Sequence, residues 1–377
     1  MDVSTQGAGA RDDYPGFRVA GWLDRFGSFV SRWPGLWIRL GNLETRLLSD
    51  EIAGIAIEAP IYVGGLARSG STILLECLAR HPDTATHRYR DYPALPTPWF
   101  WNRFLDRMPA PSATATERAH ADGLMVTPDS PEALEEMLWM AFFPESHEPG
   151  RSNVIGPDGS RAEFEAFYRD HIRKLLLIRG GRRYLAKGNY NILRFDYLLN
   201  LFPDARFVIP VREPVWHIAS LMKQHALFCA GERRHPRALR YMQRVGHFEF
   251  GLDRRPLDFG DPDATAEILD CWQRGAEVEG WARYWAQVHR FLAGRLADSA
   301  PLRAASLVVR FEDLCRDPKG WLEKMFAHCR LPAEADLRDS LAATIRFPGY
   351  YRPAFDDRDL RTIGRETAEA ARLFGYG

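Results

Sequence analysis

Residues 61–79 read IYVGGLARSGSTILLECLA: a short apolar segment, a loop that contains glycines, and a second, longer apolar segment. The first segment is typical of a buried strand, and the last is typical of a buried helix. Between them, Gly65-x-x-x-x-Gly70-Ser71-Thr72 predicts a loop whose backbone N–H groups surround an anion at a helix N-terminus. This context indicates a phosphate-binding loop (P-loop), although a glycine turn before a buried helix is the simpler alternative.

The loop lacks the lysine that nucleotide triphosphatases carry. The residue after Gly70 is Ser71, and the basic residue of the loop comes earlier, at Arg68. Such enzymes also hold magnesium with a carboxylate at the end of a second strand. The candidates Glu213 and Glu312 each follow an arginine closely, which disfavours a metal ligand. A P-loop kinase is therefore the second-ranked interpretation.

Three further apolar segments, residues 184–186, 207–211 and 307–309, predict strands, and each is flanked by helical patterns. Strands that alternate with helices predict an α/β protein: a three-layer α/β/α fold with a central parallel sheet.

The organisation of the chain follows from the same patterns. We expect a disordered tail at residues 1–14 and an N-terminal helical arm at residues 15–57 that packs on the main domain. The main domain covers residues 58–377 and contains an insertion, residues 88–150, that is rich in proline and aromatic residues.

Composition limits the function classes. The 50 Lys+Arg balance 50 Asp+Glu, so the chain lacks the net basic charge typical of a nucleic-acid binder, and anions must be bound locally. Five scattered cysteines and the lack of a long apolar stretch predict a cytoplasmic protein without a membrane span. The oligomeric state stays open. Lysine is rare, so a lysine at a site is informative; the five are Lys174, Lys187, Lys223, Lys319 and Lys324.

A second anion site is predicted at the end of the strand 207–211. Arg212 follows this strand, Pro214 suits the first turn of the next helix, and Ser220 lies on that helix. Ligands of open α/β sheets bind at the carboxyl ends of the strands. An arginine and a hydroxyl at this edge can hold a second phosphate.

Together these segments resemble the sulfotransferases that use 3′-phosphoadenosine 5′-phosphosulfate (PAPS). Residues 65–72 are similar to the 5′-phosphosulfate loop of that family, and residues 212–220 to its 3′-phosphate motif. Further similar segments are residues 81–83, 201–207, 309–314 and 317–318. The resemblance implies that PAPS is the cofactor, that no metal is used, and that the product is 3′,5′-adenosine bisphosphate. It also implies cofactor-binding roles for Arg68, Ser69, Gly70, Ser71, Thr72, Arg212 and Ser220.

The resemblance further implies a cation at the reacting centre, and Lys187 after the strand 184–186 is the candidate. Several relatives use a glutamate after the first helix as the general base, but arginine stands at that place here. Asp91 is the nearest carboxylate and His87 the nearest imidazole, so both are candidates for the base. More distant candidates are Glu132, Glu135, Glu136 and His225.

The acceptor is expected to be a small molecule that carries a hydroxyl group on an apolar or aromatic body. For Trp139 and Phe143, which fall at helical spacing, a plain core role is the alternative to a role in the pocket. The candidates for the pocket are aromatic residues of the insertion: Tyr89, Tyr92, Trp99, Phe100, Trp101, Phe104, Trp139, Phe142 and Phe143. A non-catalytic relative that only binds nucleotide is a third interpretation, because the expected glutamate is absent.

Overall fold

The computed structural model describes residues 14–108, 115–349 and 352–377, so the predicted tail lies outside the described residues except for Tyr14. The strands are β1 (Ile61–Val63), β2 (Thr84–Ala85), β3 (Thr116–Glu117), β4 (Met125–Val126), β5 (Arg183–Lys187), β6 (Arg206–Val211) and β7 (Ser306–Arg310).

The α-helices are α1 (Gly21–Arg32), α2 (Pro34–Leu47), α3 (Ser49–Ala53), α4 (Ser71–Ala79), α5 (Pro98–Leu105), α6 (Glu136–Phe142), α7 (Ala162–Arg179), α8 (Phe195–Leu201), α9 (Pro214–Arg234), α10 (Pro236–Val245), α11 (Pro262–Gln273), α12 (Glu277–Asp298), α13 (Ala300–Ala305), α14 (Phe311–Arg316), α15 (Pro318–His328), α16 (Ala335–Ala342) and α17 (Asp357–Leu373). Short 3-10 turns cover Pro15–Phe17, Tyr89–Asp91, Pro144–His147, Pro157–Gly159 and Asn189–Leu193.

Five strands form a parallel sheet in the order β2-β5-β1-β6-β7. In the central strand, Ile61 is paired with Leu185 on one side and with Arg206 on the other. All three residues of β1 are fully buried, because helices cover both faces of the sheet. Tyr62 packs into the core on one face, while Ile61 and Val63 pack into the core on the other. The predicted three-layer α/β/α fold is confirmed.

The N-terminal arm forms α1, α2 and α3. Pro34 occupies the first turn of α2, where its missing N–H costs no hydrogen bond. The arm contacts the rest of the molecule through α1 against α10 and α2 against α7. Two buried acids of the arm are paired across these contacts: Glu44 lies 2.9 Å from Lys174, and Asp24 lies 2.7 Å from Arg240.

The insertion brings a distant segment beside the residues that follow α4. Arg88 forms an isolated antiparallel bridge with Pro131, and the backbone N–H of Tyr89 donates to Ser130 O at 3.1 Å. The short hairpin of β3 and β4 lies within the same segment. In the described ranges, the model contains no helix that is both long and apolar enough to cross a membrane.

Candidate functional site

The predicted P-loop connects β1 to α4, and its glycines meet two steric requirements. Gly70 has φ +106° and precedes the first residue of α4; a Cβ there would lie 2.7 Å from a ring carbon of Phe311. A Cβ on Gly65 would lie 2.8 Å from the carbonyl oxygen of Pro210. The loop therefore packs closely against the ends of the neighbouring chain segments, which only glycine permits.

The loop contains a buried hydroxyl that suits an anion. Ser69 is fully buried, and its Oγ has no hydrogen-bond partner among the residues that the structure describes. A buried polar atom without a partner is costly. Because this one lies at the N-terminus of α4, where backbone N–H groups are also available, the loop fits the phosphate end of a nucleotide.

Arg68 joins this loop to the second predicted site. Its Nε donates to Ser220 Oγ at 3.3 Å, and Nη1 of Arg212 donates to the Arg68 carbonyl oxygen at 3.3 Å. His217 is a buried residue of α9, and its Nε2 is 2.8 Å from the Ala67 carbonyl oxygen. This contact fixes the loop against α9. The two sites predicted separately thus form one polar surface at the carboxyl ends of β1 and β6.

Lys187 ends β5 directly beside the end of β1, since it is paired with Val63 in the sheet register. It lines a cavity of about 1360 Å³ that also reaches Arg68, Ser71 and Arg212. Burial lowers the pKa of Lys187, although the nearby Glu132 carboxylate acts in the opposite direction. The structure therefore brings the predicted cation and the two predicted anion sites into one cleft.

The comparison with protein families identifies this arrangement. A family model described as the sulfotransferase family matches residues 60–254, just over half of the chain. The chain belongs to the sulfotransferase family. No significant match was found among curated proteins.

Two solved bacterial sulfotransferases share the fold. Sulfotransferase STF1 from Mycobacterium tuberculosis H37Rv aligns over 95% of this chain and 87% of its own, with 18% identity and a TM-score of 0.52. Sulfotransferase STF9 from Mycobacterium avium aligns over 89% of this chain and 82% of its own, with 16% identity and a TM-score of 0.51. At these identities the likeness shows the fold alone.

Asp91 and His87, the predicted candidates for the base, have other surroundings in this sulfotransferase. Asp91 is buried and accepts from Arg179 at 2.5 and 2.8 Å and from Asn102 at 3.0 Å. His87 is buried with its Nε2 2.9 Å from Nε2 of His171, and burial lowers its pKa to about 4. Neither side chain lines the cavity that the described residues enclose. A base that takes the proton of a bound acceptor is expected among the side chains that line the cavity.

Glu132 is a carboxylate that lines the cavity. Its backbone N–H donates to the His87 carbonyl oxygen at 2.9 Å, next to the bridge between Arg88 and Pro131. The insertion thus places a carboxylate beside the segment after α4, where the sequence carries arginine instead of the expected glutamate. The nearby Glu132 carboxylate adds to burial in raising the pKa of Tyr89.

The other glutamates ahead of and within α6 have structural contacts. Burial raises the pKa of Glu135 to about 8, and its carboxyl accepts from the hydroxyl of Tyr168. Burial also disfavours the charge of Glu136, but Arg194, at 3.0 Å, and His147, at 2.7 Å, together outweigh burial and lower the pKa to about 2. His225, the last candidate, lies 3.6 Å from the Cys229 sulfur and outside the lining of the cavity as described.

Two charged residues of the site were missed in the sequence. Asp122 lies 2.8 Å from Arg68 and 2.5 Å from Arg118, and all three side chains are at least 86% buried. Arg118 also donates to the Thr72 hydroxyl at 3.4 Å. Because β3 and β4 are only two residues long, no periodic pattern marks this segment. The four-residue spacing of Arg118 and Asp122 was the one available signal.

Two imidazoles complete the polar part of the cavity. His120 lies near Lys187 and Arg118, and burial together with these cations holds its pKa well below the usual range. His247 lies with Nδ1 3.1 Å from a carboxylate oxygen of Glu249. Both histidines line the cavity. His120 is therefore neutral in this structure, and the same burial and cations disfavour its protonated form.

The apolar part of the cavity differs from the predicted pocket. Of the aromatic residues predicted to form it, Tyr89, Tyr92 and Trp101 contribute to the lining. Trp139, Phe142 and Phe143 belong to the buried core. The arm and α10 also contribute to the apolar lining, through Phe17, Trp22, Leu23, Tyr241, Met242 and Val245.

Proposed function

We propose that this sulfotransferase transfers a sulfuryl group from PAPS to the hydroxyl of a small-molecule acceptor. The observation that carries the proposal is the junction at Arg68, whose guanidinium contacts Ser220 while its backbone oxygen accepts from Arg212. This junction supports one extended ligand with an anionic group at each end. A donor with a 5′-phosphosulfate and a 3′-phosphate has that form.

In this proposal the P-loop holds the sulfated end of the donor. The N–H groups at the start of α4 and the hydroxyls of Ser69, Ser71 and Thr72 donate to the 5′-phosphosulfate. Arg212 and Ser220 hold the 3′-phosphate. When bound, PAPS supplies the sulfuryl group and a phosphate leaving group.

Lys187 and Glu132 have the remaining roles. The Lys187 ammonium, which lines the cavity together with the P-loop, would stabilise the negative charge that the leaving phosphate of the donor gains on transfer. The Glu132 carboxylate accepts the acceptor's hydroxyl proton while the new O–S bond forms. His120 is the second candidate for this base, because it is neutral and lies in the same cavity.

The acceptor that fits this cavity has an apolar body. The cavity is lined both by apolar side chains, among them Tyr92, Trp101 and Met242, and by the charged Glu132 and Lys187. A hydroxyl carried on an apolar or aromatic skeleton suits both kinds of lining. We also propose a cytoplasmic location, since all five cysteines are unpaired, as expected in a reducing compartment.

A kinase would need a metal carboxylate, and the two former candidates have other contacts. Glu213 caps α9 by accepting from the Trp216 N–H at 2.9 Å. Glu312 accepts from the Glu213 N–H at 3.0 Å and from the Tyr376 hydroxyl at 2.6 Å. These contacts favour a sulfotransferase over a kinase.

A thermal-shift series tests the proposal. We expect 3′,5′-adenosine bisphosphate to stabilise the protein and ATP with magnesium not to; the reverse result would reject PAPS as the donor. Arg212→Ala is expected to remove the stabilisation, whereas Arg316→Ala, at a side chain that is 76% exposed, is expected to keep it.

Turnover separates the enzyme from a non-catalytic relative. Labelled PAPS and a panel of hydroxylated acceptors should yield a sulfated product. Glu132→Gln should lower kcat and leave the affinity for 3′,5′-adenosine bisphosphate unchanged. If His120→Asn abolishes turnover and Glu132→Gln does not, the base is His120. Binding of the bisphosphate without transfer to any acceptor would favour the binding-only interpretation.

A further inference from the structure

The two long helices of the arm share a pattern of exposed residues with a period of 14. Trp22, Arg25, Phe29, Arg32 and Trp33 correspond, 14 residues later, to Leu36, Arg39, Leu43, Arg46 and Leu47. In each set the apolar residues are spaced by seven and four, which places them on one helix face. The arginines come three residues after an apolar residue and so flank that face.

This face is exposed although its residues are large and apolar. Trp22 is 61% exposed, Trp33 54% and Leu47 62%. The opposite faces of the same helices carry the contacts with the protein, through residues such as Val30 and Trp37. Apolar residues that repeat on one outward face differ from single exposed side chains and mark an interaction surface.

The exposed charges of the two helices are all positive. Residues 21–47, all of which the structure describes, contain four arginines and two acids. Both acids are buried and paired, Asp24 with Arg240 and Glu44 with Lys174. The face therefore presents four arginine charges beside its apolar residues.

A basic depression continues the surface at the start of α1. This depression of about 860 Å³ is lined by Arg18, Arg234, Arg237 and Arg240 among others. Its size and charge suit phosphate headgroups. Trp22 and Leu23 also line the large cavity of the active site, so the exposed face adjoins its apolar end.

We propose that the outward face of α1 and α2 is a docking surface for an anionic lipid membrane. Exposed tryptophans, phenylalanine and leucines enter the interface between headgroups and acyl chains, and the flanking arginines contact anionic headgroups. The helices lie in the plane of the surface. If the cavity holds the acceptor as proposed above, an apolar alcohol reaches it from the bilayer past Trp22.

Co-sedimentation of the full chain with vesicles tests the docking surface without donor or turnover, so its outcome is independent of the proposed function. We expect binding to vesicles of phosphatidylcholine with phosphatidylserine, weaker binding to phosphatidylcholine alone, and loss of binding at high salt. No binding to the anionic vesicles at low salt would overturn the proposal.

Two variants locate the surface. Replacing Arg25, Arg32, Arg39 and Arg46 together by glutamine should lower the partition coefficient on anionic vesicles several hundred-fold, since each arginine near a membrane contributes about five-fold. Trp22→Ser with Trp33→Ser should lower binding to both kinds of vesicle. The matched control replaces four exposed arginines of α17 by glutamine and should bind as the wild type does: Arg358, Arg361, Arg365 and Arg372.

Two results, one from the control variant and one from a measurement of self-association, would contradict the proposal. Equal loss of binding in the α17 variant would mean that net charge, and not this face, governs the attraction. If the wild type sediments as a dimer without vesicles, and Trp22→Ser with Trp33→Ser makes it monomeric without changing vesicle binding, the face is covered by a second copy and the proposal is wrong.

Discussion

Asp122→Asn is the substitution that most directly tests how the anion site works. The Asp122 carboxylate is 2.8 Å from Arg68 and 2.5 Å from Arg118, and its own side chain is 8% exposed. Burial alone would raise its pKa, but the two guanidinium groups lower it well below the usual range. The carboxylate is therefore ionised at neutral pH and neutralises two arginines beside the P-loop.

The magnitude follows from this geometry. Removing one partner of a buried ion pair costs roughly 3 to 5 kcal/mol, because the other charge stays buried without compensation. We expect the free energy of unfolding of the ligand-free Asp122→Asn variant to fall by about 3 kcal/mol. A bound phosphate restores part of the compensation. If it restores half, binding of 3′,5′-adenosine bisphosphate strengthens by about 1.5 kcal/mol, roughly ten-fold.

Urea unfolding and calorimetric titration measure the two quantities. The matched control is Asp129→Asn, since Asp129 belongs to the same insertion and contacts Arg88 and Arg90 at 3.2 and 3.5 Å but is 59% exposed. It should change stability and affinity by less than about 1 kcal/mol. If Asp122→Asn is destabilised and binds the bisphosphate more weakly, Asp122 positions the arginines for the ligand, and the idea that it competes with the ligand is refuted.

Four further predictions concern single groups of the site and its support. Lys187→Ala should lower kcat about 100-fold with the affinity for 3′,5′-adenosine bisphosphate retained, while Lys223→Ala, at an exposed lysine, should not; equal effects would remove the proposed role. Gly70→Ala should destabilise the protein by about 1 to 3 kcal/mol and abolish bisphosphate binding, and a normal thermal shift would show that the loop tolerates a Cβ. Glu136→Gln should cost about 3 kcal/mol in urea unfolding at pH 7, and this cost should vanish as pH falls from about 4.5 to about 2, because the lowered pKa of Glu136 stabilises only while the group is ionised. Glu135→Gln should gain stability relative to the wild type as pH rises from about 4.5 to about 8, since the raised pKa of Glu135 penalises folding over that interval; parallel pH curves for the two variants would contradict both assignments.

The sheet and the residues at its carboxyl edge were predictable because their signals are local. The strand, glycines and helix of residues 61–79 occur in one run, and Arg212 and Lys187 directly follow apolar segments. The sheet then brings these segments together, as the parallel register of β1 with β5 and β6 shows. Residues that follow neighbouring parallel strands meet at the carboxyl edge of the sheet, and this placement does not depend on the conformation of the loops.

The insertion was not predictable in the same way. Choosing Asp91 as the nearest carboxylate assumed that the segment after α4 supplies its own base. Asp91 instead pairs with Arg179, and the segment is bridged through Arg88 to Pro131, which places Glu132 beside it. This contact joins residues about forty positions apart through one isolated bridge and the few backbone hydrogen bonds beside it. No hydrophobic period or motif of the intervening chain encodes it.

The neutral composition of the chain has a counterpart within the site. Arg68 and Arg118 are held by Asp122, and the positive charge of Lys187 is supported by Glu132 and Glu249. A buried set of cations without such acids would be unstable in the ligand-free protein. If PAPS is the donor as proposed, its affinity is the difference between its contacts with the arginines and the contacts that Asp122 gives up. This exchange would account for a polyanion site in a protein without net charge, and it would make the acids of the insertion as decisive for donor binding as the basic residues.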